Sequence, residues 1–388
     1  MTEWIDASEA QARLGVRAQT LYAYASRGRL RVEADPADPR RSRYFAADVE
    51  ALAAATRRSR KRRDIAESAL AWGEPSLASA ISTVADGRLF YRGQDAVALA
   101  ERLTHEETAA LLRGGEAVAP PAIRPAPPAA QDAIARMLTS LARAALDPPL
   151  AGRRGAALDG EAAALMAAMV DAATGEVSQG PAHERLARAW GVGGAEADAI
   201  RRTLALLADH ELNPSAFAAR VAASTGASLA AAALAGLATL TGPRHGGAPA
   251  AIRQVLARAE AVGIRAAVAE RIADAQPLPG FGHPLYVSAD PRAEALLARV
   301  RLTPPLAAMR EVARDYAGLF PNVDFALIAV ADAYALPEEA PITLFATARA
   351  AGWIAHALEQ AESGVIIRPR ARYVGVRPPP ASPSASRG

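Results

Sequence analysis

Apolar residues recur at helical spacing along most of the chain. Alanine- and leucine-rich segments predict helices over residues 104–114, 129–145, 159–174, 181–190, 194–208 and 212–240, with Pro and Gly marking the breaks. Five prolines between positions 115 and 128 predict a loop, because proline lacks the backbone donor that a helix needs. A weak alternation over residues 77–84 and 88–95, around the turn Asp86-Gly87, predicts a hairpin. The pattern therefore predicts a mainly α fold.

A separate set of short helical patterns lies at the N-terminus. The first two patterns meet at Leu14-Gly15-Val16, where glycine permits a tight turn, and a third begins near Asp48. This arrangement is typical of a helix-turn-helix, and over about 55 residues it resembles the small winged helix-turn-helix domains of the MerR and excisionase type. The residues predicted to contact DNA lie at the start of the second helix and in a basic turn: Arg17, Gln19, Thr20, Tyr24, Arg40, Arg41 and Arg43.

Charge distinguishes this N-terminal region from the rest of the chain. Residues 1–63 hold 14 Lys or Arg against 8 Asp or Glu, a net charge of +6, whereas the remainder carries −3. The dense basic block 56–63 predicts a linker that is mobile or touches phosphates. Two interpretations follow: residues 1–63 bind double-stranded DNA, or they form a three-helix appendage whose arginines are merely solvated.

Composition excludes several classes of protein. Cysteine is absent, which rules out disulfides and thiol nucleophiles and fits a reducing compartment. No apolar run approaches the roughly 18 residues that span a bilayer, and the polar N-terminus lacks the features of a signal peptide. We therefore expect a cytoplasmic protein without a membrane partner.

Three Gly- or Pro-broken loops in the C-terminal half each present one titratable side chain. They are Gly242-Pro-Arg-His245-Gly-Gly, Gly280-Phe-Gly-His283-Pro and Phe320-Pro-Asn-Val-Asp324-Phe. A helical pattern starting near Pro249 places His245 beside a helix N-terminus, which favours a neutral imidazole that can donate to an oxyanion. The apolar neighbours of Asp324 partly desolvate its carboxylate and make it a stronger base.

Arginines near these loops indicate an anionic substrate. Arg292, Arg368 and Arg370 offer guanidinium groups that hold carboxylates through two hydrogen bonds. A metal site is not predicted, because His-x-x-x-His and clustered His/Asp spacings are absent from the sequence. The remaining histidines outside these motifs, His105, His183 and His356, are interpreted as structural. Together the loops and arginines indicate carbon-acid chemistry on an anionic substrate.

The order of these motifs resembles the citrate synthase family over roughly residues 75–376. The matching segments begin at Asp209-His210-Glu211, continue through the three loops and Asp290-Pro-Arg292, and end at Arg368-Pro-Arg-Ala-Arg-Tyr373. The resemblance implies a homodimer with a two-domain helical fold, in which the smaller domain closes over the substrates. The predicted division is a helix-turn-helix domain at 1–56, a basic linker at 57–74, a large domain at 75–247 and 341–376, a small domain at about 248–340, and a disordered tail at 377–388.

The same resemblance implies a role for each site residue. Asp324 would abstract a methyl proton from acetyl-CoA while His245 hydrogen-bonds the thioester oxygen, and His283 would polarise the oxaloacetate carbonyl. Oxaloacetate would be bound by His210, Arg292 and Arg368, and neither a metal nor a prosthetic group is needed. The predicted product is citrate, or 2-methylcitrate from propionyl-CoA. The alternative function is a DNA-binding transcriptional regulator whose synthase-like part senses oxaloacetate, citrate or an acyl-CoA.

Overall fold

The computed structural model describes residues 4–14, 16, 21, 24–25, 29–36, 42–53, 77–130, 132–153, 155–273, 277–286 and 288–376. The chain divides into two compact units, Met1–Ala78 and Ser79–Gly388. In the described residues no helix is both long and apolar enough to cross a membrane.

The N-terminal unit contains a small antiparallel sheet. Its strands are β1 (Trp4–Asp6), β2 (Val32–Ala34) and β3 (Ser42–Phe45), in the order β1-β3-β2. A helix spans Ala7–Leu14, its first turn capped by Asp6 Oδ1, which accepts from Glu9 N at 2.9 Å, and residues 46–53 are also helical. Apolar residues from the strands and helices form one core: Ile5, Ala10, Leu21, Leu30, Tyr44, Ala46, Val49 and Leu52.

The predicted second helix of this unit is described only at Leu21 and residues 24–25, all of which are helical. Gly15 of the predicted turn and most of the predicted second helix lie outside the described residues. The first helix and the helical residues after β3 agree with the sequence pattern, whereas the helix-turn-helix as a whole stays a prediction.

The C-terminal unit begins with the predicted hairpin. Strands β4 (Ser82–Ala85) and β5 (Arg88–Tyr91) pair antiparallel across the turn at Asp86-Gly87, and β6 (Gln94–Asp95) extends the sheet. Helices follow at Ala96–Ala100, His105–Arg113, Ala133–Ala144, Ala156–Thr174, Ala182–Ala189, Ala195–Leu206, Pro214–Ser224, Leu229–Leu240, Ala248–Val262, Ile264–Ala273, Pro291–Leu297, Pro304–Ala317, Val323–Ala333 and Ala340–Ser363. The mainly α prediction is therefore confirmed for this unit.

The last helix, Ala340–Ser363, forms the centre of the C-terminal unit, and we call it the central helix. It is 24 residues long and buried on nearly all sides, because alanine and glycine let neighbouring helices approach closely. Its neighbours include the helices Pro214–Ser224, Leu229–Leu240 and His105–Arg113. The alanine-rich sequences 216–223 and 228–238 lie largely in the first two of these neighbouring helices.

One predicted helix differs from the structure. The segment 212–240 forms two helices, because Thr225 ends the first, Gly226 adopts a φ of +82°, and Ser228 caps the second by accepting from Ala231 N.

The apolar core of the unit contains two clusters. The smaller cluster joins the helices Ala248–Val262, Ile264–Ala273 and Pro304–Ala317 to one face of the helix Val323–Ala333.

Candidate active site

His245 lies in the tight turn between the helices Leu229–Leu240 and Ala248–Val262. The turn needs small residues, since a Cβ on Gly246 would lie 2.3 Å from the carbonyl oxygen of Leu240. The ring Nε2 is 2.8 Å from Ser215 Oγ, which is itself 2.7 Å from Asn213 Oδ1. Burial, and then the charge of Arg349, lower the pKa of His245 to about 4, so the imidazole is neutral at pH 7.

Backbone hydrogen bonds join the loop that carries His283 to the loop that carries Asp324. Gly282 N donates to Phe320 O at 2.9 Å, and Asn322 N donates to Gly280 O at 2.9 Å. The Asn322 side chain adds two contacts: its Nδ2 donates to Gly282 O, and its Oδ1 accepts from Asp324 N. Asn322 therefore caps the helix that begins at Val323 and holds the two loops together.

Asp324 is a carboxylate in an apolar setting. Its Oδ1 is buried and has no hydrogen-bond partner among the described residues, and its neighbours Val323 and Phe325 are both buried. Burial raises the pKa of Asp324 to about 6, although Arg292 and Arg349 act in the opposite direction. Such a group is ionised at pH 7 and is a stronger base than an ordinary aspartate.

His210, His283 and Tyr286 form an aromatic cluster. The rings of His210 and His283 meet edge to face, with centroids 4.9 Å apart, and His210 Nε2 is 2.9 Å from the Tyr286 hydroxyl. Burial and the nearby Arg292 lower the pKa of His283 to about 4 and hold that of His210 well below its usual range. Both rings are therefore neutral at pH 7.

A hairpin fixes the backbone on both sides of His210. The Tyr91 hydroxyl donates to a backbone carbonyl of this turn, with Leu206 O at 2.8 Å and Asp209 O at 3.1 Å. The Ser82 hydroxyl contacts Asp209 Oδ2 and accepts from the backbone N–H of Glu211 at 2.8 Å. Strands β4 and β5 thereby hold the His210 turn against the helical bundle.

Two buried guanidinium groups bring positive charge to the cluster. Arg292 pairs with Asp290 through Nε at 3.0 Å and Nη2 at 2.7 Å, and Asp290 also accepts from Val323 N. Arg349 is different, because its Nε and Nη1 are buried and have no hydrogen-bond partner among the described residues. Burial lowers the pKa of Arg349 to about 10, which leaves it charged at pH 7. An unpaired buried cation of this kind is suited to bind an anion.

The structure thus brings together His210, His245, His283, Arg292 and Asp324. Arg368 is exposed and lies beyond the end of the central helix, in a segment without regular structure. Tyr24 is half-buried beneath the guanidinium of Arg29, and Arg43 is half-buried with its Nη2 donating to Trp4 O. The other predicted DNA contacts, Arg17, Gln19, Thr20, Arg40 and Arg41, lie outside the described residues.

Arg349, Ser215 and Tyr286 were missed by reasoning from the sequence. A signal for Arg349 existed, because it is the sole Arg or Lys in the alanine-rich sequence 340–363. Ser215 reaches His245, and Tyr286 reaches His210, only through the fold, from 30 and 76 residues away in sequence. In the described residues no group of three or more His, Cys, Asp or Glu could hold a metal ion.

The amino-acid sequence of this chain is similar to those of known proteins. The sequence model described as "Citrate synthase, C-terminal domain" matches residues 122–370. "Putative citrate synthase 2" of Mycobacterium tuberculosis (strain ATCC 25618 / H37Rv) is 40% identical over 195 residues, which are 47% of this chain and 52% of that protein. "2-methylcitrate synthase" of Shewanella oneidensis is 33% identical over 196 residues, 48% of this chain and 52% of the relative. The chain thus spans about half the length of the curated relatives it matches.

Solved structures match over more of the chain. The citrate synthase of Thermoplasma acidophilum, in a ternary complex with carboxymethyl coenzyme A and oxaloacetate, aligns with a TM-score of 0.66 and 26% identity. That alignment covers 82% of this chain and 99% of the archaeal chain.

Proposed function

This chain belongs to the citrate synthase family, and we propose that it condenses an acyl-CoA with oxaloacetate. The products are citrate and CoA from acetyl-CoA, or 2-methylcitrate and CoA from propionyl-CoA. One feature supports this proposal above the others: the buried Oδ1 of Asp324 and a guanidinium, both without partners among the described residues, share a site with two neutral histidines. That combination suits removal of a proton next to a thioester and stabilisation of the resulting enolate.

In the first step Asp324 takes a proton from the carbon next to the thioester carbonyl. The electron pair moves onto the thioester oxygen, and His245 donates a hydrogen bond to that oxygen. The Ser215 hydroxyl, which donates to Asn213 Oδ1 at 2.7 Å, lies 2.8 Å from His245 Nε2 and orients the ring. A neutral donor is suitable here, because the low pKa of His245 keeps the ring from competing with Asp324 for the proton.

In the second step the enolate carbon attacks the keto carbon of oxaloacetate. His283 is suited to polarise that carbonyl, because its Nδ1 accepts from Leu285 N at 3.2 Å and the neutral ring then carries its proton on Nε2. The carboxylates of oxaloacetate would be held by Arg292, Arg349 and His210. Arg349 is best suited to bind an anion, since its Nε and Nη1 are buried and have no partner in the described part of the chain. The predicted role of Arg368 remains part of the proposal.

The third step is hydrolysis of the thioester formed by condensation. We propose that the predicted small domain, at about 248–340, closes over the substrates and excludes water until the carbon–carbon bond has formed.

We also propose that the functional unit is a homodimer, which light scattering coupled to size-exclusion chromatography would test.

The direct test is the release of free CoA thiol from acetyl-CoA or propionyl-CoA in the presence of oxaloacetate. We expect turnover that Asp324→Ala lowers by at least about a hundredfold, a typical loss for a general base. Arg349→Gln should raise the KM for oxaloacetate much more than the KM for the acyl-CoA. The matched control is Arg299→Gln, since Arg299 is an exposed arginine in contact with Glu101. A folded protein that releases no thiol with either substrate would refute the proposal.

We also propose that residues 1–63 bind double-stranded DNA, which keeps open the alternative of a regulator that senses oxaloacetate, citrate or an acyl-CoA. Support comes from the net charge of +6 and from the short β1-β3-β2 sheet beside helical residues. The test is binding of the full chain to a pool of duplexes at increasing salt. We expect salt-sensitive binding with sequence preference. Equal affinity for every duplex would leave only a basic patch, and this outcome is independent of thiol release.

A further inference from the structure

A cavity in the C-terminal unit shares no lining residue with the candidate active site. Its volume is about 410 Å³, within the range of small-molecule sites. The helix His105–Arg113 and the helix Ala156–Thr174 form two of its walls, and Thr104, Arg185 and residues 117–120 and 179–181 complete the lining. We call it the 113 cavity, after the arginine at one end.

One wall of the 113 cavity is an apolar stripe. Ala163, Met166, Ala167 and Val170 follow the i, i+3, i+4, i+7 spacing that places side chains on a single face of a helix. Three of them, Met166, Ala167 and Val170, are otherwise buried in the protein core. The stripe offers a ligand an apolar surface, and the methionine side chain adapts readily to different shapes.

A buried cation stands at one end of the stripe. The side chain of Arg113 is only 4% exposed, and its Nε has no hydrogen-bond partner among the described residues. The carboxylate of Asp159 approaches this Nε to 3.5 Å, which is long for a charge-assisted hydrogen bond. The Arg113 guanidinium can therefore bind a closer anion. Burial of the side chain lowers the pKa of Arg113.

Buried hydrogen-bond acceptors without a donor among the described residues lie at the other end of the 113 cavity. Glu106 Oε1 accepts from Ala182 N at 2.7 Å, but Glu106 Oε2 is buried and has no partner among the residues that the structure describes. Next to it, His105 is 1% exposed and its Nδ1 also has no partner among the described residues. Glu106 and Arg113 are seven residues apart on one helix, which places them on the same face and about 10 Å apart along the axis.

From this arrangement we infer that the 113 cavity binds a small, elongated amphipathic molecule. Its anionic group, a carboxylate or phosphate, pairs with Arg113, and its apolar middle covers the stripe. A hydrogen-bond donor at the far end, such as an ammonium or amide, meets Glu106. Buried polar atoms without partners destabilise a fold, so several of them lining one cavity point to a ligand that satisfies them.

The experiment uses the full chain and a simple probe, 6-aminohexanoate, with hexanoate as a second probe that lacks the ammonium group. Binding is measured by saturation-transfer NMR with CoA and oxaloacetate present, which blocks the proposed active site. We expect Arg113→Gln to weaken binding of both probes by at least tenfold. Glu106→Gln should weaken 6-aminohexanoate to a similar extent and leave hexanoate unchanged, because only the ammonium group meets the carboxylate.

Two variants that fill the cavity test its location. Met166→Trp and Ala163→Leu should each abolish probe binding, and Arg314→Gln, at an exposed arginine, should leave it unchanged. Thiol release without probe should be the same in every variant, since none of these residues belongs to the proposed catalytic site. The inference is overturned if neither probe binds, if the cavity-filling variants bind as the wild type does, or if Glu106→Gln affects both probes equally.

Discussion

Replacing Asp324 by asparagine should abolish activity and stabilise the fold at the same time. Burial raises the pKa of this carboxyl from 3.8 to about 6, so ionising it in the folded protein is disfavoured. A difference of this size corresponds to about 3 kcal/mol. Asparagine has the same shape without the charge, but its amide hydrogens also need acceptors. We therefore expect a net gain of roughly 1 to 3 kcal/mol at pH 8.

The sign of the effect depends on pH in a defined way. Because the folded pKa of Asp324 is above the unfolded value, the ionised group destabilises the native state at pH above both values. The penalty grows as the pH rises from about 4 through about 6 and is constant above that. Below about pH 3 the carboxyl is protonated in both states, and the pH-dependent part of the difference between wild type and variant should vanish.

Urea unfolding at pH 8 and at pH 4.5, at one fixed protein concentration, measures this difference. The matched control is Asp315→Asn, since Asp315 is exposed beside Arg314 and should change stability by less than about 0.5 kcal/mol at either pH. Thiol release is measured on the same preparations. An asparagine variant that is no more stable than the wild type at pH 8 would refute the assignment of Asp324 as a desolvated base.

Three further predictions concern the surroundings of this base. Ser215→Ala should lower kcat by about tenfold without loss of folding, because the ring of His245 loses its 2.8 Å partner. Steady-state thiol release measures kcat, and an unchanged kcat would contradict the role of Ser215 in orienting His245. Gly352→Ala should destabilise the fold by about 2 kcal/mol, because the added Cβ would lie 2.4 Å from Asp209 Oδ1. Thermal unfolding tests this prediction, and a variant as stable as the wild type would mean that the central helix shifts at little cost. The acid limb of the pH profile of kcat/KM should report one group near pH 6, since the histidine pKa values are about 4; a limb at pH 4.5 or below would contradict the base assignment.

Much of the C-terminal unit was predictable because local chemistry fixes it. A Cβ on Gly246 would meet the backbone of Leu240, and Gly280 adopts a positive φ beside the Ile252 side chain, so glycines mark both loops in the sequence. The desolvation of Asp324 followed from its apolar neighbours Val323 and Phe325. The division of residues 212–240 into two helices was not predicted, since alanine propensity outweighed the two interior glycines, Gly226 and Gly236, in the pattern.

The sequence by itself determined the chemical groups and the helical class. It identified two histidines and one carboxylate in Gly- and Pro-broken loops, and a charge pattern that separates residues 1–63 from the rest. These features are local, since backbone freedom, helix periodicity and charge depend on near neighbours in the chain.

Only the tertiary structure decided which groups meet. Arg349 reaches the histidines because the central helix passes through the middle of the bundle, and Ser215 reaches His245 across 30 residues. The 113 cavity likewise depends on two helices whose facing residues are far apart in sequence. Contacts of this kind arise from tertiary packing. Burying a charge without a partner is costly, so only the whole fold can hold a charged group in such a position. No short sequence pattern encodes these contacts.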